Sequence, residues 1–96
     1  PTGVVAACDE VAIGVIIAAR RMGISVPSEL SVVGIDGHDY AEMFSLTTVE
    51  QFPLAQGIAA TRILVSLIEG TGDAPRRTEA ETRLVVRAST APPRST

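Results

Sequence analysis

Apolar residues along the chain alternate between short β-branched runs and longer stretches with helical spacing. Residues 4–7 predict a first buried strand, because they are apolar on both faces and follow a Pro-Thr-Gly turn. Residues 11–22 predict a helix that is apolar nearly all round, with Gly23 as its C-terminal stop. Residues 31–35 predict a second buried strand. Strand, helix and strand over about thirty residues form one βαβ unit, which implies a parallel sheet with a right-handed crossover.

The second half of the chain continues this pattern. Residues 41–44 predict a helical turn, and residues 46–49 predict a third short strand. A second long helix is predicted over residues 54–69, because apolar positions recur along one stripe. That stripe consists of Leu54, Ile58, Val65 and Ile68, widened by Leu64 and Leu67. A polar loop over residues 71–81 and a last strand over residues 82–87 complete the predicted elements.

Length and charge exclude several classes of protein. The chain has 96 residues and a net charge of -3, and its eight basic residues are scattered, so no basic patch suits nucleic acid or an acidic membrane surface. Its single cysteine excludes an internal disulfide and is typical of a reducing cytoplasm. No apolar run approaches the ~20 residues that a membrane span needs. Because the chain opens directly in a strand pattern, we expect a piece of a longer protein.

Polar residues interrupt the apolar pattern where the predicted strands end. Cys8 and Asp9 follow the first strand, Asp36 the second and Gln51 the third. In an open parallel sheet these carboxyl ends lie at one edge, and ligands bind beyond that edge. Carboxylates accept strong hydrogen bonds, often two at once, so the set suits a ligand rich in hydroxyl groups, such as a sugar. No acidic cluster with the spacing of metal ligands accompanies it, and no cofactor is expected.

Each of these residues also has a plainer structural interpretation. Asp9 has the position of a helix N-cap, Asp36 that of a turn former and Cys8 that of a small buried hydrophobe. His38 is predicted to be a solvated loop histidine. A catalytic alternative makes Cys8 the nucleophile of a hydrolase, with His38 and Asp39 as its partners. The glycines of a nucleophile elbow are missing around the cysteine, so the sequence favours a binding protein over an enzyme.

Segments of the chain resemble, in order, the C-terminal part of the lactose-repressor (LacI/GalR) family of bacterial transcription regulators. They read PTGVVAACDEVAIGV, GISVPSELSVVGIDG, LTTVEQ and LVVRAST. The resemblance implies a helix-turn-helix DNA-binding head, outside this chain, and a two-lobed effector domain with the α/β fold of periplasmic binding proteins of type I. Residues 1–90 then form the last, incomplete part of that domain, and residues 91–96 a flexible tail. The alternative is a periplasmic-type sugar-binding protein of a transport system, which shares the fold.

The resemblance also implies a function for the residues at the strand ends. The protein would be a cytoplasmic repressor that binds operator DNA through its head and a sugar or sugar phosphate between its lobes. Asp36 matches the acid that commonly binds sugar hydroxyls, and Gln51 matches the glutamine at the lobe crossover. Cys8 stands where the family usually has Asn or Ser, and Asp9 is expected to cap the helix and orient the strand-end loop. These four residues are the predicted ligand-binding set.

The family's homodimer interface matches two segments here, residues 11–22 and about residues 38–45. The predicted contact residues are Val11, Val15, Ile16, Ala19, Tyr40, Met43 and Phe44. In the family, the segment that matches residues 54–69 packs on the first lobe, which this chain lacks. We therefore expect the isolated chain to expose that apolar stripe and to self-associate, with exchange of the helix between copies as one route.

Overall fold

A computed structural model of the chain describes residues 1–70 and 77–95, which form a four-stranded sheet in the order β1-β2-β3-β4. The strands are β1 (Gly3–Val5), β2 (Ser31–Asp36), β3 (Thr47–Glu50) and β4 (Arg83–Val85). The helices are α1 (Asp9–Arg21), α2 (Asp39–Met43) and α3 (Pro53–Glu69). The first three strands are parallel, and β4 pairs antiparallel with β3. The predicted α/β fold with a parallel sheet is confirmed, and the structure adds the direction of the last strand.

Both ends of each predicted element lie within two residues of the observed ends. Part of the predicted polar loop, residues 71–76, lies outside the described residues. The predicted flexible tail is held at its first residue, because the Ala91 amide donates to Ser31 Oγ at 3.0 Å and Ser31 Oγ donates to the Ala91 carbonyl at 3.2 Å. Further along, Arg94 and Glu29 form an exposed ion pair at 3.8 Å.

The core lies between α1 and the sheet. Its buried cluster consists of Ala6, Ala12, Ile16, Val32, Ala41 and Leu46. The small side chain of Ala12 lets α1 approach the sheet closely, and the larger Ile16 and Leu46 fill the remaining space. Ile16 and Ala19 are only 6% and 3% exposed, so they pack within the chain. The prediction that these two residues contact a second copy is therefore corrected.

Within the described part of the chain, the long helix α3 packs on no such core. None of its 17 residues is buried, and it ends at Gly70 in the left-handed conformation. The radius of gyration is 17.9 Å and the longest dimension is 59 Å. A compact chain of this length has a radius of gyration of roughly 12.5 Å. Within the described ranges, no helix is both long and apolar enough to cross a membrane.

Ser89 holds the starts of β2 and β3 together at the edge opposite the strand ends. Its carbonyl accepts from the Val32 amide, and its amide donates to the Ser45 carbonyl, both at 2.9 Å. Its hydroxyl donates to the Val32 carbonyl at 2.6 Å and accepts from the Thr47 amide at 2.8 Å. The segment after β4 thus returns to two strands that are distant from it in sequence and links them.

Candidate functional site

The carboxyl edge of the sheet brings two predicted site residues into direct contact. Asp36 ends β2 and is paired in register with Glu50, the last residue of β3. Gln51 follows Glu50, and its side-chain Nε2 donates to Asp36 Oδ1 at 2.9 Å. Both residues line a cleft of about 380 Å³, together with Gly37, His38, Asp39, Pro53 and Gln56. This position beyond the strand ends is where open α/β sheets bind ligands.

The turn that carries Asp36 has an unusual backbone. Asp36 has a φ of 143°, a region that residues with side chains rarely adopt, and Gly37 follows with a φ of 73°. A Cβ on Gly37 would collide with the Glu50 side chain and lie 3.1 Å from the Glu50 Cα. A glycine is therefore required at this point for both conformation and space. The contacts around the turn must hold Asp36 in a conformation that costs of order 1–3 kcal/mol.

Asp9 occupies a different place from the one predicted. It is the first residue of α1, the N-cap is Cys8, and the Cys8 side chain makes no capping hydrogen bond. The Asp9 carboxylate is fully buried; Oδ1 accepts from Thr48 Oγ1 at 2.6 Å and Oδ2 accepts from the His38 amide at 2.7 Å. The N-cap interpretation is therefore wrong, because the carboxylate turns towards β3 and the turn after β2 instead of capping its own helix.

His38 also differs from the sequence expectation. Its Nδ1 accepts from the Tyr40 amide at 3.1 Å and so caps α2, and its ring stacks on that of Tyr40 with centroids 5.1 Å apart. A histidine that serves as general base for Cys8 would need a nitrogen free to take the thiol proton. Here the Nδ1 lone pair accepts from the Tyr40 amide, so in the neutral ring Nε2 carries the proton, and the geometry does not favour the hydrolase alternative. Among the described residues, no group of three potential metal ligands is brought together.

Two residues outside the predicted ligand-binding set also shape the site. Thr48 was seen only as part of a strand, yet its hydroxyl links Asp9 to the turn. Gly34, inside β2, is the other: a Cβ there would collide with Asp9 Oδ1 and lie 3.1 Å from Leu46 Cδ2. The close approach is that of the Asp9 side chain. A glycine inside a strand pattern is a signal of such an approach, although it does not identify the approaching group.

The cleft is negatively charged on the side that this chain supplies. Asp36 and Asp39 line it, and Glu50 lies against Gly37. Within the described part of the chain, no arginine lines this cleft, and the sequence contains no lysine. Gln51 and Gln56 supply side-chain amides that can both donate and accept. The set of donors and acceptors matches uncharged hydroxyl groups better than an anion.

Comparisons with known proteins agree with this geometry. The model of the periplasmic binding protein-like domain family matches residues 1–90. The ribose operon repressor of Halalkalibacterium halodurans is 42% identical over 90 residues, which are 92% of this chain and 27% of that protein. This chain therefore spans about a quarter of the length of that curated relative.

Solved structures give the same result. A LacI transcriptional regulator from a Rhodococcus species has a TM-score of 0.84 and 35% identity, over 96% of this chain and 34% of that one. A LacI family regulator from Enterococcus faecium with bound ribose has a TM-score of 0.83 and 30% identity, over 97% of this chain and 35% of that one. The sheet and helices described above are thus those of about one third of each of these proteins.

Proposed function

The chain belongs to the periplasmic binding protein-like domain family, in the group that contains the LacI-type transcription regulators, and from this membership we propose its function. It forms the C-terminal part of the effector-binding and dimerising domain of a bacterial, cytoplasmic transcriptional repressor. The DNA-binding head and most of the first lobe belong to the rest of that longer protein. The relatives reported above are named as regulators, which favours this function over that of a transport protein or an enzyme.

The contact between Asp36 and Gln51 carries the proposal. The Asp36 carboxylate offers acceptor oxygens at the mouth of the cleft, and the Gln51 amide holds it from one side at 2.9 Å. An acceptor and a donor set side by side can bind two neighbouring hydroxyls of a sugar ring, and a charged acceptor makes the stronger of such bonds. Cys8, half-buried at the end of β1, stays a predicted contact of lesser strength, because a thiol is a weak donor and acceptor.

The negative charge of the cleft favours a neutral sugar over a sugar phosphate as the effector. Asp36 and Asp39 would repel the phosphate of a sugar phosphate placed against this lobe. A neutral sugar meets no such repulsion and gains hydrogen bonds to the same carboxylates.

The cleft also lies where an effector can act on conformation. Asp36 belongs to the sheet, whereas Pro53 and Gln56 belong to the first turns of α3, and all three residues line the cleft. A ligand in it would therefore contact both parts of the molecule. An effector shifts a conformational equilibrium only if it binds the two states with different affinity, and contacts to two parts that move relative to each other supply that difference.

The proposed homodimer uses the outer side of α1 and α2. Val11, Tyr40 and Met43 are exposed large hydrophobic residues on these helices. Val15 and Phe44 are half-buried and pack against the core, so they would support the contact from below. An exposed apolar surface of this kind is typical of a protein–protein interface. Ile16 and Ala19, which are buried, are not part of this proposal.

The test is calorimetric binding to the full-length regulator. Neutral pentoses, hexoses and disaccharides, with D-ribose among them, are compared with the corresponding sugar phosphates. We expect one neutral sugar to bind and Asp36→Asn to weaken it by about 10- to 100-fold, the effect of losing a hydrogen bond to a charged group. Glu42→Gln is the matched control, because Glu42 is an exposed acid of α2 that does not line the cleft.

The DNA arm of the test uses the promoter region of the regulator's own gene. The sugar that binds should change the affinity of the protein for that DNA in a gel-shift titration. A protein that binds no neutral sugar, or one whose sugar affinity is the same in Asp36→Asn and the wild type, contradicts the proposal.

A further inference from the structure

We infer that Asp9 is a positioning residue: its buried carboxylate holds the turn of residues 36–38 and thereby sets Asp36 for the effector. This inference rests on the function proposed above and adds a role for a residue that does not itself line the cleft. Asp9 is 0% exposed, and both of its carboxylate oxygens accept hydrogen bonds from other parts of the chain. It has no surface with which to touch a ligand, so it can act only through its neighbours.

Asp9 reaches the turn by two routes. Directly, its Oδ2 accepts from the His38 amide at 2.7 Å. Indirectly, its Oδ1 accepts from Thr48 Oγ1 at 2.6 Å, while the same hydroxyl oxygen accepts from the Gly37 amide at 3.2 Å. Because the Thr48 hydroxyl has one proton, donation to Asp9 fixes its orientation and leaves its lone pairs for Gly37. Two consecutive amides of the turn are therefore held by one buried carboxylate.

The surroundings of Asp9 fit this role. The absence of a side chain at Gly34 leaves the space that the Asp9 carboxylate occupies beside β2. The carboxylate also lies in the first turn of α1, where the helix dipole stabilises a negative charge. The position is thus built to bury one carboxylate, and the burial strengthens its hydrogen bonds to the turn.

The turn matters because it carries Asp36 in a strained conformation. A φ of 143° persists only when neighbouring contacts hold it, and the amides of the next two residues are the ones that Asp9 and Thr48 bind. Without them, Asp36 would relax towards ordinary extended backbone, and its carboxylate would leave the position beside Gln51. Asp9 therefore sets the geometry of an acceptor that it does not contact.

The experiment compares Asp9→Asn with Ser89→Ala in the full-length regulator. Asp9→Asn keeps the shape but removes the charge and replaces one acceptor oxygen by an NH₂ group, so the turn loses its charge-assisted hydrogen bonds. Ser89→Ala is the control, because it removes two buried hydrogen bonds at the opposite edge of the sheet, away from the turn. The first readout needs no ligand: hydrogen exchange of the Gly37 and His38 amides should become about tenfold faster in Asp9→Asn relative to the core amides, and stay unchanged in Ser89→Ala.

The second readout is a double-mutant cycle in affinity for the neutral sugar that binds the wild type. Asp9→Asn should weaken binding about tenfold in the wild-type background and less than about twofold in the Asp36→Asn background, since it acts through Asp36. Equal losses in both backgrounds, or unchanged exchange of the two amides, overturn the inference. If no neutral sugar binds the wild type, the proposed function fails, and the exchange rates alone decide whether Asp9 holds the turn.

Discussion

The two long helices in the described part of the chain are both rich in apolar residues, yet only one of them packs against the core. Helix α1 buries Ala12, Ile16 and Ala19 within the chain. Helix α3 is four residues longer, 17 against 13, and buries none of its residues. The difference lies in the partner and not in the helix. An apolar stripe shows that a helix needs a surface to pack on, and only the rest of the chain decides whether that surface is present.

The contrast also separates two kinds of apolar exposure. On α1, exposed Val11 lies on a helix whose other side is already buried, so the exposed side is free to become an interface. On α3, apolar residues are exposed along the whole helix: Leu54, Ile58, Leu64, Val65, Leu67 and Ile68. A contiguous surface of that kind is a liability in water until another surface covers it.

The largest expected difference between the two helices is in the free energy of unfolding, measured by replacing one isoleucine with alanine in each. Ile16→Ala should lower the free energy of unfolding of this chain by about 2–5 kcal/mol, because it leaves a cavity in the core. Ile58→Ala should lower it by less than about 0.5 kcal/mol, because Ile58 is 44% exposed and has no core around it. Urea unfolding of the two variants measures both values. Equal losses would mean that α3 packs on the sheet after all.

A second expected effect concerns association of the isolated chain. We expect it to self-associate at tens of micromolar through the apolar stripe of α3. Val65→Glu places a charge in that stripe and should weaken association about tenfold, which corresponds to about 1.4 kcal/mol. Ser66→Glu adds the same charge at the neighbouring position, outside the stripe, and should change association little. Sedimentation equilibrium distinguishes these results, and a chain that stays monomeric at this concentration contradicts the expectation.

The smallest expected effect on stability comes from replacing one glycine inside each helix with alanine. A Cβ on Gly14 of α1 or on Gly57 of α3 would meet no atom within 4 Å. Alanine is the better helix former by about 0.5–1 kcal/mol, so each substitution should stabilise its own helix. Because only α1 is packed on the sheet, Gly14→Ala should raise the urea midpoint, whereas Gly57→Ala should raise only the helical signal in circular dichroism. A shift of the midpoint by Gly57→Ala would show that α3 unfolds together with the core.

Much of the fold was predictable because local patterns determine it. The β-branched pair before Cys8, the Gly23 stop and the strand before Asp36 each indicate an element from neighbouring residues alone. Which face of a helix is buried within the chain was less predictable. Ile16 and Ala19 were assigned to a dimer contact, although the sheet buries them, because a helix that is apolar nearly all round does not reveal which side meets its own chain.

The site was predictable only as an arrangement of strand ends. The rule that parallel strands end at one edge placed Asp36 and Gln51 together, and the structure shows them in contact. The partners of Asp9 were beyond the sequence, because His38 and Thr48 lie 29 and 39 residues further along the chain. An aspartate at a helix start fits the N-cap pattern equally well, and only the fold shows where its oxygens go.

The position of Ser89 bears on how this domain is made in the cell. A nascent chain that has not yet reached Ser89 leaves the amide and carbonyl of Val32 and the amide of Thr47 without the partners they have in the finished sheet. Synthesis must therefore pass nearly all of these 96 residues before β2 and β3 can close at their starts. Products of premature termination would retain open backbone groups and apolar surface, which are the features that chaperones and proteases recognise. Ser89 thus makes closure of β2 and β3 at their starts a late event in the synthesis of this chain.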